Sequence, residues 1–373
     1  MYNIFDNMKR ISLIIAGLFL FFGTSFAQKA SSKKAVKSED AGITAITRNS
    51  LEAHIAFLAS DALEGRAAGK NSGRVAAEYI KAVLLDAGIK PLYDSYFQSF
   101  EAFAPHSSDY DIKTRFQVHA DAIAKIKQSP DYRRLDLQNV LGLIEGERKD
   151  EYVVVGAHYD HLGIDESLEG DQIFNGADDN ASGVAAALQV AKAIKATVAS
   201  GKKPLRSIIF AFWDAEEYGF LGSEYFVAHF NHIADIKGYI NIDMAGREGS
   251  LPSFLLEKTN TIDVSEKKGP NIIYFLRTAN AIDYDEKQDE QLKKDLAVHR
   301  QHVRLSPKIL LPTARASDDH SFSNKNIPVL WLFTGIHPDY HTPDDEVEKI
   351  NWDKLLYITR SSYLNLWNLS NNR

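Results

Sequence analysis

The sequence predicts an α/β protein built on a mostly parallel β-sheet. Short runs rich in valine, isoleucine and aromatic residues alternate with helical runs, which is typical of strands joined by crossover helices. Four such runs begin near Tyr152, Ser207, Tyr239 and Ile327, and histidine, aspartate or glutamate follows each of them. Because open α/β sheets bind ligands at the carboxyl ends of their strands, this pattern indicates a functional site at one sheet edge.

The first 27 residues have the pattern of a secretory signal peptide. A basic pair precedes an apolar run, residues 11–27, which ends with Ser25 and Ala27 in the small-residue positions of a cleavage site. A transmembrane anchor is the alternative, but the run is slightly short and no charge cluster closely follows it. We therefore expect export to the periplasm or the exterior. Residues 28–45, rich in lysine and serine, are expected to form a flexible tether.

Residues 46–373 are expected to form one large domain, although their length also allows two. The net charge of −7 supplies no basic stripe to neutralise phosphates, which argues against nucleic acid as a partner. The chain contains no cysteine, which excludes disulfide bonds and lipid-modified cysteine. We expect no membrane contact beyond the signal peptide, and the sequence predicts no oligomeric state.

The first helices and the first strand can be placed from capping residues and hydrophobic periodicity. Ser50 is expected to cap an amphipathic helix that includes Leu58, and Val75–Ala87 reads as a second helix ended by Gly88, with a loop between the two. The stretch Gln138–Gly146 is expected to be a strand with a turn.

The strand that begins at Tyr152 leads into the densest group of metal-ligand side chains. His158 and Asp160 come where this strand would end, and Asp178 and Asp179 precede a helical run, Val184 to Lys195. One aspartate could simply cap that helix, but a cap needs only one side chain. Two carboxylates together with a histidine and a further aspartate therefore indicate a metal site.

The other strand ends carry similar residues. Glu216 and Glu217 follow the second strand, Asp243 lies within the apolar third strand, and His337 and His341 follow the fourth. A carboxylate in an apolar run is rarely buried unless it is paired or binds metal. The stability of the fold does not require acidic or imidazole side chains at the ends of four strands. We therefore expect these side chains to form one functional site.

Together these motifs resemble the co-catalytic zinc aminopeptidases, whose relatives include glutamate carboxypeptidase and glutaminyl cyclase. The resemblance covers most of the predicted mature chain, and it implies a three-layer αβα sandwich around a mixed, mostly parallel sheet of the zinc exopeptidase kind. The motifs that carry it are FLASDALEGRAAG (Phe57–Gly69), HYD (His158–Asp160), GADDNASG (Gly176–Gly183), AEEYGFLGS (Ala215–Ser223), NIDM (Asn241–Met244) and DYHTPDD (Asp339–Asp345).

The resemblance also implies a role for each candidate residue. Asp179, the third residue after the motif glycine, would bridge two zinc ions, and family members carry a cis peptide bond just after it, here Asp179–Asn180. The other assignments are His158 and Asp243 on one zinc, Glu217 and His341 on the other, Glu216 as general base, and Asp160 as the acceptor that orients the ring of His158.

The chemistry explains why these residue types are needed. Two Zn²⁺ ions carry four positive charges, and three carboxylates with a metal-bridging hydroxide carry four negative ones, so the cluster closes neutral. One histidine per ion favours zinc over magnesium or calcium, although cobalt or manganese could substitute. The bridging hydroxide would attack a scissile carbonyl, and Glu216 would move the proton to the leaving amine.

The chain departs from the family pattern ahead of the fourth strand. Members usually have Ser-Asp-His there, whereas this chain reads Ser-Asp-Asp-His at residues 317–320. Arg315 is the one residue near the position of the family's oxyanion-stabilising group, but it is displaced from the usual register. The segment Arg247–Ala316 has no clear pattern apart from a charged stretch, Asp285 to His302, which we interpret as a solvated helix.

We therefore predict a secreted dizinc exopeptidase that removes N-terminal residues from peptides. A glutaminyl cyclase with a single zinc and a carboxypeptidase of the same fold are the alternatives within the family, and side-chain preference is not predicted. A binding module on a peptidase fold that has lost its activity is the alternative from another class. Such modules are marked by lost ligands, and here all five ligand positions match.

Overall fold

A ten-stranded mixed sheet forms the centre of the molecule. The computed structural model describes residues 38–106, 115–256, 259–261, 272–277, 294, 299, 302–312 and 316–372. The predicted signal peptide, residues 1–27, and Arg315 lie outside these ranges, as does nearly all of the charged stretch 285–302. From Lys37 onward the chain forms one compact unit.

The strands are numbered in chain order. β5 and β6 form a separate two-stranded sheet, and the main sheet has the order β1-β3-β7-β4-β8-β12-β10-β11-β9, with β2 paired to β3. Their bounds are β1 Lys90–Pro91, β2 Phe97–Pro105, β3 Tyr132–Ile144, β4 Arg148–His158, β5 Gly163–Ile164, β6 Ile173–Phe174, β7 Arg206–Trp213, β8 Ile236–Ile242, β9 Thr259–Thr261, β10 Ile272–Arg277, β11 Ser306–Pro312 and β12 Val329–Phe333.

The middle of the sheet is parallel and its margins contain the antiparallel pairs. β4 pairs in parallel with both β7 and β8, and β8 pairs in parallel with β12. The antiparallel pairs are β1, β2 and β7 with β3, β10 with β12, and β9 with β11. Because β7, β4, β8 and β12 run in the same direction, their carboxyl ends meet at one edge of the sheet, as the sequence predicts.

Helices cover both faces of the sheet. Side chains of β7 alternate between the faces: Phe210 belongs to the core cluster that includes residues of α1, α2, α3, α5 and α9, and Ile209 belongs to the cluster that includes residues of α6 and α8. The predicted αβα sandwich is therefore confirmed. The helices are α1 Ser38–Ala45, α2 Arg48–Leu58, α3 Asn71–Asp86, α4 Ala120–Ile126, α5 Gly183–Ala199, α6 Leu221–His229, α7 Ser253–Leu256, α8 Asp319–Ser323 and α9 Trp352–Asn371.

The prediction that residues 28–45 form a flexible tether is wrong for the last eight of these residues. These residues form α1, which packs against α5, and Ile43 is buried. The Cβ of any larger residue at Gly42 would come within 2.3 Å of the Tyr363 ring, so α1 packs tightly against α9. The packing of this apolar side chain outweighs the polar composition from which the tether was inferred.

Several element ends also differ from the predicted ones. Thr47, not Ser50, caps α2, because its hydroxyl accepts a hydrogen bond from the Ser50 N–H at 3.3 Å. Part of the predicted loop is a short 3₁₀ helix, Asp61–Arg66, and α3 starts at Asn71 rather than Val75. None of the helices in the described ranges is both long enough and apolar enough to cross a membrane.

Candidate metal centre

The strand ends bring five predicted metal ligands together. His158 is the last residue of β4, and Asp243 directly follows β8. Glu217 lies four residues beyond β7, and His341 lies in the segment after β12. Asp179 comes from the irregular turn Ala177–Ser182 that leads into α5.

Asp179 lies between two histidines. Its Oδ1 atom is 3.3 Å from Nε2 of His158, and its Oδ2 atom is 3.1 Å from Nε2 of His341. The two oxygens of one carboxylate therefore face two different groups of ligands. This is the arrangement that a carboxylate bridging two metal ions requires.

Each group contains a second carboxylate. On the first side, Oδ1 of Asp243 is 3.5 Å from Nε2 of His158, and Oδ2 accepts a 2.6 Å hydrogen bond from the Ser317 hydroxyl. On the second side, Oε2 of Glu217 is 3.2 Å from Nε2 of His341. The sequence-predicted ligands therefore separate into the two predicted sets, joined by Asp179.

The donor atoms fit zinc. Among the described residues, Oδ1 of Asp243 and Nε2 of His341 are buried without a hydrogen-bond partner, although each lies within 3.5 Å of a histidine nitrogen or a carboxylate oxygen, respectively. Burial lowers the pKa of His341, but its close contacts with the Asp179 and Glu217 carboxylates outweigh burial and raise that pKa to about 10. Imidazole and carboxylate donors around an excess of negative charge suit one zinc ion in each set.

Asp178 and Asn180 have structural roles. Oδ1 of Asp178 accepts a 2.5 Å hydrogen bond from the Gly246 N–H, and its Oδ2 is 3.5 Å from Nε2 of His337. The side chain of Asn180, not of either aspartate, accepts the N–H of Gly183 at the start of α5. The peptide bond between Asp179 and Asn180 is cis, as the resemblance implied.

Asp160 holds the two glutamates in place. Its carboxylate accepts hydrogen bonds from the backbone N–H groups of Glu216, at 3.0 Å, and Glu217, at 3.3 Å. Nδ1 of His158 is 3.2 Å from the Asp160 carbonyl oxygen and 3.7 Å from its carboxylate. Asp160 therefore contacts the ring that it was predicted to orient, and also fixes the backbone of Glu216 and Glu217.

The neighbouring glutamates have opposite electrostatic environments. Burial raises the pKa of Glu216 well above its usual range; His158 opposes this shift, and the carboxylates of Glu217 and Asp243 add to it. Burial and Asp179 also raise the pKa of Glu217, but hydrogen bonds from histidines outweigh them and lower it to about 2. Two neighbouring carboxyl groups whose pKa values are shifted in opposite directions are typical of an active site in which the two groups have different roles.

A cavity of about 200 Å³ opens beside these residues. His158, Asp179, Glu216 and Asp243 form its polar end. The rest of its described lining is largely apolar and consists of Met244, Pro252, Leu255, Ala316, Trp331, Phe333, Ile336 and Tyr340.

A model of peptidase family M28 matches residues 139–363, which is more than half of the chain. The chain belongs to peptidase family M28. This membership confirms the family resemblance and the predicted class of enzyme, a peptidase.

Curated relatives match about a third of this M28 chain. The Caenorhabditis elegans protein named Glutamate carboxypeptidase 2 homolog is 33% identical over 123 residues, which are 32% of this chain and 14% of the relative. The chain thus spans about one seventh of that relative's length.

Solved structures show the same fold at low identity. The aminopeptidase from Aneurinibacillus sp. strain AM-1 aligns with a TM-score of 0.59 and 17% identity, over 89% of this chain and 96% of that one. Porphyromonas gingivalis glutaminyl cyclase aligns with a TM-score of 0.57 and 16% identity, over 86% and 98% of the two chains. These likenesses extend the fold assignment to 86–89% of the M28 chain.

The changed motif of the M28 chain, residues 317–320, still supports the site. The Ser317 hydroxyl donates a hydrogen bond to Asp243. Asp319, which stands where family members usually have histidine, is fully buried. Oδ1 of Asp319 accepts the N–H of Ser317 at 3.3 Å, whereas His320 is exposed. The substituted aspartate therefore stabilises the turn that presents the Ser317 hydroxyl.

Sequence reasoning missed the residues that support the ligand loops. Asp345 accepts the backbone N–H groups of both Asp178 and Asp179 at 3.0 Å. Arg66 is buried, and its guanidinium donates to the carbonyls of Leu58 and Asn175 at 2.6 Å. Both lie in motifs that carried the resemblance, but backbone hydrogen bonds leave no pattern in a sequence.

His161 was also missed, although it adjoins Asp160, and Tyr340 was named only within the motif Asp339–Asp345, without a role of its own. Nδ1 of His161 is 2.7 Å from Oε1 of Glu217. Tyr340 lines the cavity, and its ring stacks on His341 with centroids 3.8 Å apart. Burial, followed by the charges of Asp179 and Glu217, raises the pKa of Tyr340, so its hydroxyl keeps its proton.

Proposed function

We propose that this M28 peptidase is an exported dizinc aminopeptidase that removes N-terminal residues from peptides. The position of Asp179 carries the proposal, since its two oxygens lie 3.3 and 3.1 Å from histidines of two separate ligand sets. His158 and Asp243 would bind one ion, and Glu217 and His341 would bind the other. Asp179 would bind both ions. When bound, the ions would acidify a shared water and polarise the scissile carbonyl.

Glu216 would act as the general base. It lines the cavity beside both aspartate ligands, and its raised pKa makes it a better proton acceptor than an ordinary glutamate. It would take a proton from the attacking water and deliver it to the leaving amine. Tyr340, which keeps its proton, would donate a hydrogen bond to the negative charge that develops on the carbonyl oxygen.

The charges around the cavity favour an N-terminal substrate over a C-terminal one. No arginine or lysine is among the described residues that line it. Arg247, the described candidate for binding a C-terminal carboxylate, is instead paired with Asp339 at 2.6 Å and lies 3.5 Å from Asp345. Carboxylates around the site suit the ammonium group of a free N-terminus.

The apolar part of the cavity would take the side chain of the residue that is removed. Leu255, Trp331 and Phe333 are each at least nine-tenths buried, and the space of about 200 Å³ beside them admits one side chain. We therefore expect a preference for apolar N-terminal residues over charged ones, because an unpaired charge would lose its hydration there.

Cleavage of blocked peptides tests the proposal. We expect that N-terminal acetylation of a good peptide substrate abolishes its cleavage and that C-terminal amidation changes little, with mass spectrometry showing which end is shortened. Trimming of the acetylated peptide from its C-terminus would establish a carboxypeptidase instead. Loss of water or ammonia from an N-terminal glutamate or glutamine, without shortening, would establish a cyclase.

Metal content and the mature N-terminus test the rest. Elemental analysis after purification without chelator should give about two zinc ions per chain. Full activity with one ion, unchanged by added zinc, would rule out the dinuclear site. Export predicts that the protein recovered from the periplasm or medium begins close after Ala27, which N-terminal sequencing determines.

A further inference from the structure

A third histidine, His161, lies at the second ligand set. It is buried, with 1% of its surface exposed, and its Nδ1 atom is 2.7 Å from Oε1 of Glu217. The same nitrogen is 4.0 Å from Oδ2 of Asp179. Its ring meets that of His341 edge to face, with centroids 5.7 Å apart.

The distances separate His161 from the ligands. Donor atoms on one zinc ion, each 2.0–2.1 Å from it at tetrahedral angles, lie about 3.3 Å apart. The pairs that involve His158 or His341 and a ligand carboxylate are 3.1–3.5 Å apart, as expected for two ligands of one ion. The 2.7 Å between His161 and Glu217 is a hydrogen-bond distance instead.

The two oxygens of Glu217 consequently have different neighbours. Oε2 is 3.2 Å from Nε2 of His341, on the metal side, and Oε1 meets His161. We propose that His161 is a positioning residue: its Nδ1–H donates to Oε1 of Glu217 and leaves only Oε2 to bind the second metal ion. This inference rests on the proposed function insofar as that function needs a metal ion at the second set.

The surroundings fix the ring in this orientation. The backbone N–H of His161 donates to the Arg66 carbonyl at 3.3 Å. A Cβ on Gly176, which has a φ of +57°, would come within 2.5 Å of Cδ2 of His161, so the absence of a side chain there gives the ring its space. Within the described residues, Nε2 of His161 is buried without a partner.

The contact with Glu217 identifies the nitrogen that donates. An ionised carboxylate oxygen only accepts hydrogen bonds, so Nδ1 of His161, 2.7 Å from Oε1 of Glu217, carries the proton in this contact. His161 therefore acts as a hydrogen-bond donor, and it orients a carboxylate in the way that groups behind metal ligands commonly do.

The test measures metal binding, not peptidase activity. The metal-free protein is titrated with Co²⁺, and the visible absorption reports each ion as it binds. We expect His161→Ala to weaken binding of the second ion by about tenfold to a hundredfold, because Glu217 loses its orientation. His161→Asn, whose amide nitrogen can take the place of Nδ1, should stay within about threefold of the wild type. His54→Ala, which removes a buried histidine from α2, is the matched control and should match the wild type.

Unchanged second-ion affinity in His161→Ala, or equal losses in the alanine and asparagine variants, would overturn the proposal. X-ray absorption of the zinc-loaded wild type decides the matter without any variant. We expect two imidazoles for the two ions, which is an average of one imidazole per ion. Three imidazoles for the two ions would make His161 a ligand. Binding of two ions with these responses supports the inference even if peptide trimming fails, whereas a wild type that binds no second ion defeats the inference.

Discussion

At the scale of single residues, adjacent acids in this protein have different tasks. Asp179 faces His158 and His341, whereas Asp178 turns away and accepts the Gly246 N–H. Neighbouring side chains on an irregular or extended segment point in different directions, so only one of each acidic pair can reach the ions. Substitution within each pair tests the assignment.

Asp179→Asn should be more harmful than the loss of any terminal ligand. The amide cannot supply two anionic oxygens, so both ions should bind more weakly, and elemental analysis should find less than one ion per chain. Asp178→Asn is the matched control, because an amide oxygen can still accept the Gly246 N–H, and it should keep both ions. Retention of both ions by Asp179→Asn, with losses in His158→Ala, would remove Asp179 from the bridging position.

Glu216→Gln should lower kcat by roughly a hundredfold or more while both ions stay bound, since general-base catalysis typically contributes 10²–10⁴. Glu217→Gln, an equally small change one residue along, should instead lose the second ion, because its carboxylate faces His341 at 3.2 Å. Activity and zinc content are measured on the same preparations. Equal zinc loss in both variants would contradict this division of roles.

At the scale of elements, the ligand loops are held by a buried arginine and the helices behind them by a buried histidine. Arg66 ends the 3₁₀ helix Asp61–Arg66 and donates to the carbonyls of Tyr159, at 2.9 Å, and Gly176, at 3.0 Å. Burial lowers its pKa to about 10, which leaves it charged at neutral pH. One side chain thus joins the loop after β4 to the turn before α5.

His54 of α2 has the corresponding role between helices. Its Nδ1 is 2.8 Å from the Tyr79 hydroxyl of α3, and its Nε2 is 3.0 Å from the Gln189 amide nitrogen of α5. Burial, followed by the charge of Lys192, lowers the pKa of His54 to about 4. The ring is therefore neutral in the folded protein at pH values where it is already protonated in the unfolded chain.

This lowered pKa makes stability depend on pH. Below about 6.5 the unfolded chain gains a proton at His54 that the folded protein does not take up until about pH 4, so the free energy of unfolding falls as pH falls. Between pH 7.5 and 4.5 the wild type should lose roughly 2.5 kcal/mol more than His54→Gln. Denaturant unfolding with chelator present, which removes any metal contribution, measures the difference. Parallel losses in the two proteins would show that His54 is not responsible.

At the scale of the whole molecule, the sequence predicts the sheet and the ligands well. The runs at β4, β7, β8 and β12 are apolar enough to be recognised as buried strands, and parallel strands bring their carboxyl ends together. His158, Asp179, Glu217, Asp243 and His341 therefore meet where the pattern indicated. The roles assigned to them remain predictions until the variants are measured.

The features that the sequence did not predict depend on contacts between distant segments. Ile43 is buried because α1 packs against α5 and α9, which the polar composition of the predicted tether does not indicate. Arg66 and Asp345 act through backbone groups of other loops, and almost any residue type can supply those groups. His161 is seen as a partner of Glu217 only once the ends of β4 and β7 are adjacent.

The separation of the ligands along the chain also determines when the protein can acquire its metal. Almost half of the sequence lies between His158 and His341, and each ligand set joins residues from different strands or loops. Closing loops of that length costs entropy that is recovered only after the sheet has assembled. An unfolded chain has only a few separate side chains that could bind zinc. Folding therefore precedes metal capture, and a chain exported before it folds would depend on the zinc available where it is delivered.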